Sequence, residues 1–201
     1  MLKKLLALTF VLCFVSVSFA LAGPPADQLK KSIDKILELL KDPGLRGDGM
    51  KLERRNRIFK VMEEQFDFGE MAKRSMGTFW HRMSEAEQKE FEVSFSSLLE
   101  RSYITKIEKY TNEKVVFGDE KPKGEKNFMV QADIVSPSRS IPVEYSLHNV
   151  KDQWLVYDVN IEGVSLVTNY RSQFGEVVRK EGFRGLMSKL DEKLKRLEAE
   201  E

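Results

Sequence analysis

Cysteine and histidine are almost missing from this 201-residue chain, with one Cys and two His, and each scarcity removes a class of explanation. The lone Cys13 lies in the only long uncharged apolar run, Leu5 to Leu21, which follows Lys3 and Lys4 and ends in Ala20-Leu21-Ala22 before Gly23-Pro24-Pro25. Basic start, apolar middle and small-x-small ending are the pattern of a secretory leader. As a membrane span, about 17 residues would sit at the short limit. Cleavage after Ala22 is therefore expected, leaving a leader over 1–22 and one mature domain over 23–201. Lipid attachment at Cys13 would need a small residue before it, and Leu12 is bulky. The mature chain is thus expected to carry no thiol, no disulfide and no lipid anchor. A chain of 179 residues can hold together by one buried core without such staples. The bacterial character of the leader points to the periplasm.

An excess of charge of either sign is missing too. Removing Lys3 and Lys4 from the 33 basic residues leaves 31 against 32 acidic ones, a net charge of −1. That balance argues against nucleic acid or a strongly anionic membrane as the main partner. Metal chemistry lacks ligands at site spacing, because His81 and His148 stand in different segments. Gly163-Val164-Ser165 is only the first half of a nucleophile elbow, and no phosphate-binding loop of the Walker type occurs. Glu63-Glu64 and Asp67 with Glu70 read as solvated helix faces and first-turn dipole partners. Neither an enzyme, a cofactor nor a metal is expected.

What is present is hydrophobic periodicity that changes halfway along. Leu29, Ile33, Ile36, Leu37 and Leu40 recur at helical spacing until Asp42-Pro43-Gly44 stops them. A second helix is expected over "KLERRNRIFKVMEEQF" and a short third over "DFGEMAKRSMG". Ser84 with Glu87 makes a capping box for a long helix from about Glu85 to Tyr110, with the stripe Phe91, Phe95, Leu98, Leu99, Tyr103, Ile107 and Tyr110. Alternation then takes over at Phe128–Ile134, Ile141–Leu147 and Leu155–Ile161, with a shorter strand near Val115 to Phe117. At Gly163 the alternation stops, and Val164, Val167, Tyr170, Phe174 and Val177 return to helical spacing. The expected fold is α+β: N-terminal helices, a twisted antiparallel sheet of about four strands, and closing C-terminal helices around an apolar pocket. Taken alone, a Phe or Met stripe at helical spacing reads as ordinary core, and these stripes do not locate a cavity.

Three segments occur together in order: "FDFGEMAKRSMGTFW" before the capping box, "VYDVNIEG" into the turn, and "IEGVSLVTNYRSQFGEVVRKEGFRGLMSKL" over 161–190. In this combination the chain resembles the MlaC or toluene-tolerance family over nearly the whole mature length. That resemblance implies a domain whose sheet is related to nuclear-transport-factor-like folds. It implies bound phospholipid as cargo, with acyl chains in the cavity and the head group at the mouth. Implied partners are an inner-membrane ABC transporter with an MCE-domain ring and an outer-membrane lipoprotein–porin complex, between which the carrier shuttles lipid to maintain outer-membrane asymmetry. The residues expected to wall the cavity are Phe68, Met71, Phe95, Leu99, Tyr103, Val143, Tyr145, Val164, Leu166, Val167, Tyr170 and Phe174. Docking is expected through local basic patches, Arg54, Arg55 and Arg57 or Lys180 with Arg184. Two other readings stay open: a ketosteroid-isomerase-like enzyme using Tyr157 and Asp158, and a periplasmic adaptor with a solid core and no ligand.

Overall fold

The computed structural model describes residues 24–109 and 113–200; the expected leader over 1–22, Cys13 and Tyr110 lie outside them. Helix α1 (Pro25–Lys41) starts with a proline in its first turn, where no backbone N–H is needed. It ends where Asp42 turns extended before Pro43 and accepts a hydrogen bond from the Gly44 N–H at 2.8 Å. Two short 3₁₀ turns lead into α2 (Lys51–Gln65). Phe66 then leaves the helix and pairs with Val156 of the sheet. Asp67 is the hinge between α2 and α3 (Phe68–Met76): its N–H donates to the Val156 carbonyl and its carboxylate accepts from the Glu70 N–H. The Ser84/Glu87 capping box forms as expected and opens α4 (Glu85–Glu108).

The sheet has five strands where about four were expected, in an antiparallel meander of order β1-β2-β3-β4-β5. Strand β1 (Lys114–Pro122) is nine residues long rather than a short one near Val115, because an irregularity between Phe117 and Glu120 lets pairing resume beyond the break. Strands β2 (Asn127–Val135), β3 (Ser140–Val150) and β4 (Gln153–Ile161) match the alternating segments. The fifth strand, β5 (Val164–Ser165), is too short to show any alternation.

Both tight hairpins have two-residue turns whose central residues take positive φ, the type I′ requirement. Lys151 and Asp152 (φ 50° and 64°) join β3 to β4; Glu162 and Gly163 (φ 52° and 85°) join β4 to β5. Gly163 therefore supplies a turn that reverses the chain. The next residue but one, Ser165, caps α5 (Leu166–Ala199), with Asp158 accepting from the Ser165 hydroxyl at 2.6 Å and the Val167 N–H at 3.1 Å. One residue, Gly182 (φ 71°, ψ −177°), breaks α5 into two helical segments.

Packing divides into two main layers. Helices α3, α4 and α5 bury one another through Met71, Phe91, Phe95, Leu99, Phe174 and Leu186. The inner face of the sheet packs separately under α1, with Leu29 set among Val130, Val143, Leu147, Val156 and Val159. Arg171 ties the helical layer together, its Nε–H donating to the Arg74 carbonyl at the end of α3 at 2.7 Å. Tyr170 on the same turn of α5 packs its ring 5.2 Å from Phe95.

Candidate functional site

Beneath α1, between it and the inner face of the sheet, lies an open cavity of about 520 Å³, within the range of small-molecule sites. Alternation places its sheet wall: Ile134 on β2, Ile141, Val143 and Tyr145 on β3, and Val159 and Ile161 on β4. Helical spacing places the opposite wall, where Leu29, Ile33, Ile36, Leu37 and Leu40 of α1 face inwards. Val61 and Met62 of α2, Phe66 just beyond it, Tyr103 and Ile107 of α4, and Leu166 at the start of α5 complete it.

The polar groups inside are already satisfied or uncharged. Ser32 donates to Gln65 Oε1 at 2.8 Å, and Gln65 Nε2 donates to the Trp154 carbonyl at 2.8 Å. Burial pushes the Tyr145 hydroxyl up to about 12; Tyr103 is likewise pushed up to about 12, by burial first and the neighbouring Tyr170 second. Both phenols stay neutral at any physiological pH. Charged side chains enter the lining only as Lys106, Lys109 and Arg139, which are exposed, and the half-buried Glu113, so charge sits at the rim; Arg139 and the neighbouring Ser136 belong to the β2–β3 turn. From that turn Ile141, Val143 and Tyr145 run inwards, alternate residues being about 6.6 Å apart.

A buried ion-pair cluster holds the rim in place. Glu108, between the two rim lysines, accepts from Arg54 Nη2 at 2.6 Å and Arg55 Nε at 2.9 Å, which fastens α2 to the end of α4. Burial raises the Glu108 carboxyl, but hydrogen bonds and charge from Arg55 and Arg54 outweigh it, so its pKa falls below the ordinary value. A depressed carboxylate stabilises the fold above its unfolded pKa, about 4.3, and that contribution is lost as pH falls through the folded value. Glu108→Gln is expected to cost about 1–3 kcal/mol at pH 7. It should also blunt the loss of melting temperature between pH 5 and pH 3; an acid sensitivity equal to that of the unaltered protein would refute the linkage.

Of the residues expected to wall a cavity, the structure brings Tyr103, Val143, Tyr145 and Leu166 to it. Met71, Phe95, Leu99, Val167 and Phe174 lie instead in the helical core, with Phe68 and Tyr170 packed on its flank. Their stripes face other helices, not the sheet. Val164 is 55% exposed, because β5 turns it outwards immediately after the Glu162-Gly163 reversal. Missing from the expected set is the inward face of α1, although its helical spacing is plain in the sequence. The basic patches are committed within the chain: Arg54 and Arg55 to Glu108, Arg57 to Glu53, Lys180 to Glu176 and Arg184 to Glu90. Tyr157 lies under the Arg74 guanidinium, 4.1 Å from its ring centroid, and Asp158 caps α5; neither lines the cavity.

Residues 30–192 match the family described as MlaC protein. The chain belongs to the MlaC family. A relative from Haemophilus influenzae, the intermembrane phospholipid transport system binding protein MlaC, is 24% identical over 122 residues. That alignment covers 58% of this chain and 57% of the relative, so the chain matches little more than half the relative's length. The fold is also that of a phospholipid-binding protein from Ralstonia solanacearum, solved in complex with a phospholipid. The two superpose with a TM-score of 0.76 at 25% identity, covering 87% of this chain and 98% of that one.

Proposed function

We propose that this MlaC-family protein is a periplasmic phospholipid carrier. Acyl chains occupy the cavity between α1 and the sheet, and the polar head sits at the charged mouth. The observation that carries this reading is the separation of chemistry along the cavity: uncharged walls throughout, with cations and a carboxylate only at the rim. The phospholipid seen in the Ralstonia protein and the name of the Haemophilus relative support it. The leader-like segment at 1–22 supports a periplasmic address.

Two acyl chains of roughly 15 methylenes, at about 0.8 kcal/mol each, give an upper figure near 24 kcal/mol against water. Release into water is therefore negligible. Donor and acceptor must be apolar themselves, and between two such sites the term largely cancels. An inner-membrane ABC transporter with an MCE-domain ring and an outer-membrane lipoprotein–porin complex fit those two roles. Direction is then set at docking, with outer-membrane lipid asymmetry as the outcome.

Native mass spectrometry tests the reading on protein secreted with its own leader. Gently purified protein is expected to carry a mass increment that phospholipid extraction removes. Protein at its bare mass, which also fails to take lipid from vesicles, would overturn the carrier function.

A further inference from the structure

We propose that the mouth of the cavity selects its cargo by head-group charge, taking anionic glycerophospholipids ahead of zwitterionic ones. The inference rests on the phospholipid reading above and adds a specificity to it. Lys106, in the last turn of α4, and Lys109, which caps its C-terminus in helical conformation, stand three residues apart on one face. The Lys106 ammonium lies 4.9 Å from the ring centroid of Tyr103, a cavity-lining residue, so the charge is held at the boundary between wall and solvent. Arg139, in the β2–β3 turn, lines the same cavity and is exposed as they are.

Among the described residues neither rim lysine has a carboxylate in ion-pair range. Other surface cations are paired along their helices, as in Lys30 with Asp34, Lys180 with Glu176 and Lys195 with Asp191. Arg139 shares Glu162 through one of its nitrogens, which leaves further donors on the guanidinium. Glu113 is the rim carboxylate. Three cations against Glu113 and Glu162 leave the mouth net positive, in a chain whose overall charge is close to zero.

A phosphodiester at the rim accepts hydrogen bonds from these groups whatever its substituent. The substituent decides the difference. An ethanolamine head brings a second ammonium into the same positive field, whereas a glycerol head brings none. Because the cations are solvent-exposed, the discrimination is modest, about threefold, and falls with added salt.

The probe is a vesicle containing equal parts phosphatidylglycerol and phosphatidylethanolamine with matched acyl chains, offered to delipidated protein and read by native mass spectrometry. Both lipids share one membrane, so any docking step cancels from their bound ratio. The expected ratio is about threefold in favour of phosphatidylglycerol. It should fall to about one in a Lys106→Gln, Lys109→Gln, Arg139→Gln triple variant and survive in Lys106→Arg, Lys109→Arg. A wild-type ratio of one, or a preference that persists in the triple variant with an unchanged melting temperature, would overturn the charge selection and leave the carrier reading standing. Uptake of neither lipid would overturn both. Inorganic phosphate alone is expected to leave no retained adduct; a stoichiometric one would reassign the mouth to a free anion and overturn the proposal.

Discussion

Leu166→Trp is expected to cut bound phospholipid at least roughly tenfold while leaving the melting temperature unchanged or higher. Leu166 closes the cavity where α5 begins and is only half-buried, so the added ring atoms can enter empty volume. In a close-packed core the same enlargement would force strain of about 1–3 kcal/mol. Here the cost falls on the cargo, which competes with the indole for the same space. Val164→Trp, two residues earlier, is the control: its side chain is 55% exposed beyond the turn, and it should alter neither lipid nor stability. Full lipid occupancy in folded Leu166→Trp would remove Leu166 from the site.

That pair of neighbours shows what the sequence could and could not convey. The switch from alternation to helical spacing at Gly163 is legible in the sequence. Whether Val164 points in or out depends on β5, whose two residues give no periodic signal but set the phase at which the chain enters α5. The strands β2 to β4, the capping box and the helix boundaries were readable because each rests on local spacing or a local hydrogen bond.

Cavity membership is a different kind of property. Phe95 and Ile36 sit on equally periodic apolar stripes, and spacing says only that each stripe is covered. It does not say by what. The aromatic bulk of α3, α4 and α5 belongs to the core, since large rings are good fillers of a helix-on-helix packing, where edge-to-face pairs gain further energy. Phe95 and Phe174, 5.6 Å apart at 82°, pack in that way. The cavity is walled more by β-branched and leucine side chains, from α1 and from the alternating strands, whose shapes leave a smooth apolar surface. An adaptor with a solid core would present the same stripes with no gap beneath α1.

Phe95→Ala separates those two kinds of residue from the other side. Its ring is fully buried and lies 5.6 Å from Phe91 and 5.2 Å from Tyr170, so removal deletes the centre of an aromatic cluster that joins α4 to α5. The expected loss is about 3–5 kcal/mol, a large part of a typical folding free energy of about 5–15 kcal/mol. For a chain of this length that corresponds to a drop of roughly 6–20 °C in melting temperature. Lipid occupancy per folded molecule should be unchanged, because the new void opens in the helical layer and not into the space beneath α1. Bound lipid should even recover part of the lost stability, since a ligand that binds only the folded state shifts unfolding by mass action. Thermal melts of delipidated and loaded Phe95→Ala, with lipid counted on the folded fraction, decide the matter. Lipid lost well below the melting transition would place Phe95 in the cargo site; stability lost with lipid retained would keep it in the scaffold that holds the cavity open.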